Sequence, residues 1–320
     1  MSTPLRLGPA QLAVVVNDDD ADSVEIGEYY RKAREIPLKN IVHVRIPNRP
    51  RKLDAEQFDK LKAQIDAHLG PEIQAVLMVW TAPYAVECNS LTSAYSLGLD
   101  SALCAKPCGP SKPSAYYNSN SARPLAEHGI RLSMLLPIAS VEAAKALIDR
   151  GVLSSFRAQP ATAYFLQTSD VARSSRARFF PRSMELPQKK LTIKTLQADS
   201  IESVDDVMVY QTGLAAVPKL STLRFRPGAL ADHLTSVGGD LLGELQMSSL
   251  RWLDAGATAS YGTVSEPCNY WQKFPNSIVM LKHYLAGATA IEAYWRSVAW
   301  PAQGVFIGEP LAAPYRGGQR

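Results

Sequence analysis

The residues best placed to do chemistry are His233, with Asp232 before it, and Cys268, with Glu266 two positions earlier. A thiol acts as a nucleophile only as its thiolate, so it needs a base within reach. His233 would be that base, Cys268 the nucleophile, and Asp232 or Glu266 the carboxylate that orients the imidazole. All four fall in Val207 to Cys268, where three short apolar runs each end in a small polar or glycine-rich turn. Turns of this kind gather along the carboxyl edge of a parallel α/β sheet, where ligands bind. Thr212-Gly213 and Thr235 would face a ligand on the same edge, and Trp80 and Tyr84 could line a pocket above it. A competing reading makes Cys268 a disulfide partner, most simply of Cys88, and His233 a turn residue bonded to backbone. The residues favour that second reading, and aromatic side chains in such runs more often pack than bind.

Other chemistries find weaker support. Structural zinc takes four ligands, usually as two close pairs. Cys104 and Cys108 form one such pair, but Cys88 and Cys268 form no second. A local Cys104–Cys108 disulfide, leaving Cys88–Cys268, is the simpler pairing. Asn17-Asp18-Asp19-Asp20 offers oxygen ligands to a hard cation without the glycine and distal glutamate of a calcium loop, so a capped turn is expected. Gly238-Gly239 lacks the Gly-Lys-Ser or Gly-Lys-Thr of a nucleotide loop. Neither a Gly-x-Ser-x-Gly elbow nor a His-Glu-x-x-His helix occurs. No metal and no cofactor is expected.

These residues need a scaffold, and the hydrophobic pattern supplies one. Leu12 to Val16, Ile41 to Ile46 and Ile73 to Trp80 read as buried parallel strands, separated by helices starting near Asp20 and Asp54. From Thr81 to Pro137 the rhythm breaks into an irregular segment holding three cysteines, expected to fold over the carboxyl edge. It then resumes: a helix from Val141, strands Thr162 to Gln167 and Lys190 to Leu196 with a helix Asp170 to Phe179 between them, strands Met208 to Gln211 and Leu230 to His233, a helix Met247 to Asp254, a strand Ala257 to Tyr261, two helices, and a last strand Val305 to Ile307. The expectation is a single three-layer α/β domain over 1–320 with a mainly parallel sheet.

Of the 320 residues, 46% are hydrophobic and 20% charged, with a net charge of +4. That suits a sizeable core. The basic residues are scattered apart from Arg45 to Lys52 and Arg173 to Arg182, both read as solvated surface. Without aromatic residues interleaved among them they make no nucleic-acid footprint. No apolar run reaches the roughly 20 residues of a membrane helix, and Met1 to Gly8 is too short and polar for a signal peptide. Four cysteines fit two disulfides and an oxidising compartment. Export after removal of a signal is therefore expected, with a cytoplasmic location as the alternative.

Three motifs resemble gingipain-like and caspase-like cysteine peptidases. Trp252 to Gly262, Trp-Leu-Asp-Ala-Gly-Ala-Thr-Ala-Ser-Tyr-Gly, is similar to their helix-strand block after the nucleophile. Phe306-Ile307-Gly308-Glu309-Pro310-Leu311 resembles the Gly-Asp-Pro strand end that closes gingipain-type domains. Ala231-Asp232-His233-Leu234-Thr235 resembles their Ala-Cys-Leu-Thr strand end. The whole chain also resembles a bacterial family, with no assigned reaction, found in species that carry exosortase-type protein sorting. The peptidase resemblance implies a caspase/gingipain-like fold, but its His-Gly turn is Thr212-Gly213 here, and Asp232-His233 stands where its Cys belongs. Two functions follow as expectations. One is an exported binding or scaffold protein with a degenerate peptidase site and a peptide or glycan ligand. The other is a hydrolase or transpeptidase with a rebuilt Cys268–His233 site.

Overall fold

A computed structural model describes residues 7–317. Its first third alternates strand and helix: β1 (Leu12–Asn17), α1 (Ala21–Arg34), β2 (Ile41–Val44), the short β3 (Lys52–Leu53), α2 (Ala55–Asp66) and β4 (Ala75–Val79). Asp20 caps α1 by accepting from the Asp22 amide, and Ser23, Ile26, Gly27 and Tyr30 form its buried stripe. A Cβ on Gly27 would lie 2.2 Å from Val16 Cγ1, so glycine sets how closely α1 approaches β1.

The middle holds β5 (Ala85–Val86), β6 (Asn89–Ser90), α3 (Leu91–Leu97), α4 (Ala102–Ala105), α5 (Pro124–His128), β7 (Leu132–Leu135) and α6 (Val141–Ser154). The rest comprises β8 (Ala161–Gln167), β9 (Met184–Leu186), β10 (Leu191–Gln197), β11 (Val207–Thr212), β12 (Phe225–His233), α7 (Leu250–Ala255), β13 (Ala259–Thr263), α8 (Ser277–Leu285), α9 (Ala290–Ser297) and β14 (Gly304–Gly308). Eleven strands form one sheet in the order β2-β1-β4-β7-β14-β13-β12-β11-β8-β10-β9. Pairing is parallel through β2-β1-β4-β7 and through β13-β12-β11-β8-β10, and antiparallel at β13/β14 and β10/β9.

Two expectations need correction. The segment 81–137 is not irregular throughout, because β7 lies inside it and pairs with β4 at Ala75↔Leu132 in mid-sheet. Its four fully buried residues include Ser133, whose hydroxyl is satisfied by donating to Thr92 O, and so short a run carries little periodicity. The helix expected over 170–179 is a series of turns with one 3-10 turn at Ala177–Phe179. There Asp170 bonds the Arg173 amide and guanidinium, and Arg173 reaches on to Thr235, so side-chain bonds, two local and one tertiary, stand in place of the expected helical ladder.

The Glu309 strand-end motif has a structural role. Its buried carboxylate accepts from Tyr30 Oη at 2.6 Å and pairs with Arg34 Nη2 at 2.6 Å, which ties the end of β14 to α1. Among the described residues no helix is long and apolar enough to cross a membrane.

Candidate functional site

The register places Thr212 beside His233 and Gln211 beside Asp232 at the carboxyl ends of β11 and β12. His233 is 1% exposed and both of its ring nitrogens are engaged. Nε2 lies 3.0 Å from Met247 O, and Trp252 Nε1 donates to Nδ1 at 2.9 Å. A carbonyl can only accept and an indole N–H can only donate, so the proton sits on Nε2 and the ring is neutral. Burial holds its pKa down at about 4, with Arg176 and Arg173 pushing the same way against the Met247 carbonyl.

Asp232 does not orient that imidazole. Its Oδ1 lies 2.5 Å from Arg176 Nη1, and its Oδ2 accepts from Gln211 Nε2 at 2.9 Å and Tyr294 Oη at 3.2 Å. Arg176 also donates to Thr212 O at 3.0 Å and Pro275 O at 3.2 Å, and Gln211 Oε1 accepts from Ser277 Oγ at 2.5 Å. The ion pair is buried on both sides, with each side chain 1% exposed. Arg176 belongs to the basic cluster expected to be solvated. A lone arginine among several carries no sequence signal for burial; its partner does, since a carboxylate ending a buried strand needs a cation.

The segment around 168–176 closes over the end of β11. Thr168 Oγ1 donates to Gly213 O at 2.7 Å, and a Cβ on Gly213 would lie 1.9 Å from Arg173 O. Thr235 Oγ1 donates to Gln246 and accepts from Arg173 Nε at 3.0 Å. Thr212 is buried, and its hydroxyl has no hydrogen-bond partner among the described residues. Trp80 and Tyr84 are also buried: Trp80 Nε1 donates to Pro83 O, and Tyr84 Oη donates to Asp240 Oδ1 at 2.5 Å. Beside this closed region, a cleft of about 480 Å³ opens at the ends of β8 and β10. Gln167, Ser169, Gln197 and Asp199 line it, and Asp199 accepts from the Ser169 amide and hydroxyl.

The cysteines pair as Cys88–Cys104 and Cys108–Cys268, in place of the expected Cys104–Cys108 and Cys88–Cys268. Their Cα separations of 5.3 and 5.2 Å fall within bridging distance. The local pairing fails because α4 directs Cys104 to the β5–β6 turn, while Cys108 lies in the next turn, against the loop after β13. Cys268 therefore carries no ionisable thiol in this state. Glu266 Oε1 accepts from the Cys268 amide at 2.7 Å and shapes its own turn. Asn17 likewise serves a turn: its Oδ1 accepts from the Asp19 and Ile46 amides, while Asp18 pairs with His43 and Asp19 with Arg45.

No family model matches the sequence, and no curated protein matches it. Among solved structures, the Arg-specific cysteine proteinase gingipain R aligns with a TM-score of 0.52 at 12% identity, over 97% of this chain and 80% of that one. A complex of Porphyromonas gingivalis RgpB pro- and mature domains aligns at 0.47 and 12%, over 95% and 79%. At such identity the likeness is one of fold: this chain has a gingipain-like α/β architecture, a large mostly parallel sheet flanked by helices, with two disulfides.

Proposed function

We propose that this chain is a non-catalytic binding or scaffold protein on a gingipain-like fold, with a peptide or glycan as its ligand. The observation that carries this reading is the state of His233, whose two nitrogens are committed to Met247 and Trp252 inside the core. A general base must reach the proton it removes, and neither nitrogen is free to do so. Cys268 is spent in a disulfide. The polar cleft at the ends of β8 and β10 offers amide, hydroxyl and carboxylate groups suited to a polar chain ligand. Two disulfides suit an oxidising compartment, and the proposed setting is the exported-protein or surface-polymer machinery of a bacterium.

The alternative hydrolase or transpeptidase needs a free Cys268. Turnover of a peptide library, measured with and without reductant, separates the two. The binding reading expects no turnover in either condition and no thiol labelling of the native protein. Reductant-dependent cleavage that disappears in Cys268→Ser would replace it with the enzyme reading.

A further inference from the structure

Between α6 and α7, beside the loop that follows β7, lies a cleft of about 270 Å³. Pro137, Ala146, Leu147, Arg150, Leu250 and Asp254 are among the residues that line it. Its volume falls just under the ~300 Å³ at which pockets for drug-sized ligands begin, so it has room for a small molecule only. Each helix supplies an apolar residue and, one turn further on, a charge: Ala146 and Arg150 from α6, Leu250 and Asp254 from α7. Residues so spaced share a helix face. Arg150 Nη2 donates to Leu253 O at 3.1 Å and to Ala257 O at 3.0 Å, at the end of α7 that carries Asp254. The two charges therefore share one end of the cleft, and Pro137, Leu147 and Leu250 make the rest apolar.

Among the described residues, those two carbonyls are all that hold the Arg150 guanidinium. No ion pair reaches it, its Nε is buried without a hydrogen-bond partner, and Nη1 is left unbonded. A half-buried charge answered only by carbonyl dipoles is costly. Burial pushes its pKa down and Asp254 opposes the shift, but a guanidinium stays protonated in a protein. Asp254 is loosely held: its Oδ2 lies 3.8 Å from Arg251 Nη1, and both side chains are open to solvent. One end of the cleft thus offers a cation with a spare donor beside a weakly paired carboxylate. An apolar α-amino acid presents the complement: a carboxylate for Arg150 Nη1, an ammonium for Asp254, and an alkyl group for Leu147 and Leu250. A plain carboxylate would instead set its charge against that of Asp254, and a longer peptide exceeds the volume.

We propose that the cleft between α6 and α7 binds a free amino acid with an apolar side chain, held by Arg150 and Asp254. The test is isothermal titration of the full chain with L-leucine, which should give saturable binding. Isocaproate, which lacks the ammonium, and isopentylamine, which lacks the carboxylate, should each bind about tenfold or more weakly than leucine. Asp254→Asn, at an exposed position, should weaken leucine by a similar factor and leave isocaproate no weaker. Loss of Arg150 would also release the end of α7 and can cost the fold. Ala146→Trp, at an exposed position of α6, instead fills the cleft with every buried bond in place, and should abolish leucine binding. The proposal is overturned by no saturable binding of leucine, by isocaproate or isopentylamine binding as tightly, by leucine binding unchanged in Asp254→Asn, or by binding that persists in Ala146→Trp.

Discussion

His233 makes a prediction about acid stability. Its folded pKa of about 4 lies below the ordinary 6.5, so the unfolded chain takes up a proton on this group that the folded chain refuses. The stability from keeping the ring neutral is present in full above pH 6.5. It falls as pH drops towards 4, and below 4 no more is lost, for a total of about 3 kcal/mol. His283 is depressed in the same direction and adds to the slope. Urea denaturation between pH 7 and 4 should therefore show His233→Gln losing about one proton of that dependence; an unchanged slope would mean the ring is not buried neutral. The Arg176–Asp232 pair predicts something different. Asp232→Ala strands a buried guanidinium and should cost about 3–5 kcal/mol, whereas Arg176→Met combined with Asp232→Leu should cost far less than the two single changes together. Additive costs in that cycle would show that the two groups are not coupled.

Among the elements, the turns over β11 are the feature that distinguishes this edge. The carbonyl of Arg173 lies where a Cβ on residue 213 would be, so Gly213→Ala should force 168–176 off the strand end. A cost above about 1 kcal/mol is expected in denaturation, since backbone has to move. Exchange of the amides near Thr168 should speed up with it. A neutral Gly213→Ala would mean that this segment does not rest on β11. Such contacts explain what could be read from the chain beforehand. The strands β1, β4, β8, β11 and β12 announce themselves by apolar runs, and the caps at Asp20, Asp54 and Ser140 announce their helices. The turns at 170–179 do not, because Arg173 bonds to Thr235, a group that only the fold brings near. β7 was hidden by its brevity. The pairing of Thr212 with His233 follows from two legible strands, but the acceptor that engages Nε2 of His233, Met247 O, is backbone from the loop before α7 and leaves no trace in residue type.

At the scale of the whole molecule, the two disulfides restrain the chain unequally. Cys88–Cys104 spans 16 positions and closes a local loop; Cys108–Cys268 spans 160 and joins the cysteine-bearing segment to the last third of the chain. Other bonds reinforce that join: Ser265 Oγ donates to Cys88 O at 2.6 Å, and Lys273 Nζ donates to Pro107 O at 2.7 Å. A cross-link stabilises chiefly by removing conformations from the unfolded chain, and more of them the longer the loop. Loop closure gives about 3 kcal/mol for a loop of the shorter kind and about 5 kcal/mol for one of the longer. Removing Cys108–Cys268 by double substitution to serine should thus lower stability more than removing Cys88–Cys104. Equilibrium denaturation of the two double variants gives the order. A digest without reductant, in which Cys108 leaves joined to the Cys268 peptide, checks the pairing. The reverse order of stabilities would mean that native contacts, rather than unfolded-chain entropy, set the worth of each bridge. A digest joining Cys104 to Cys108 and Cys88 to Cys268 would overturn the pairing, and with it the difference in loop length on which this order rests.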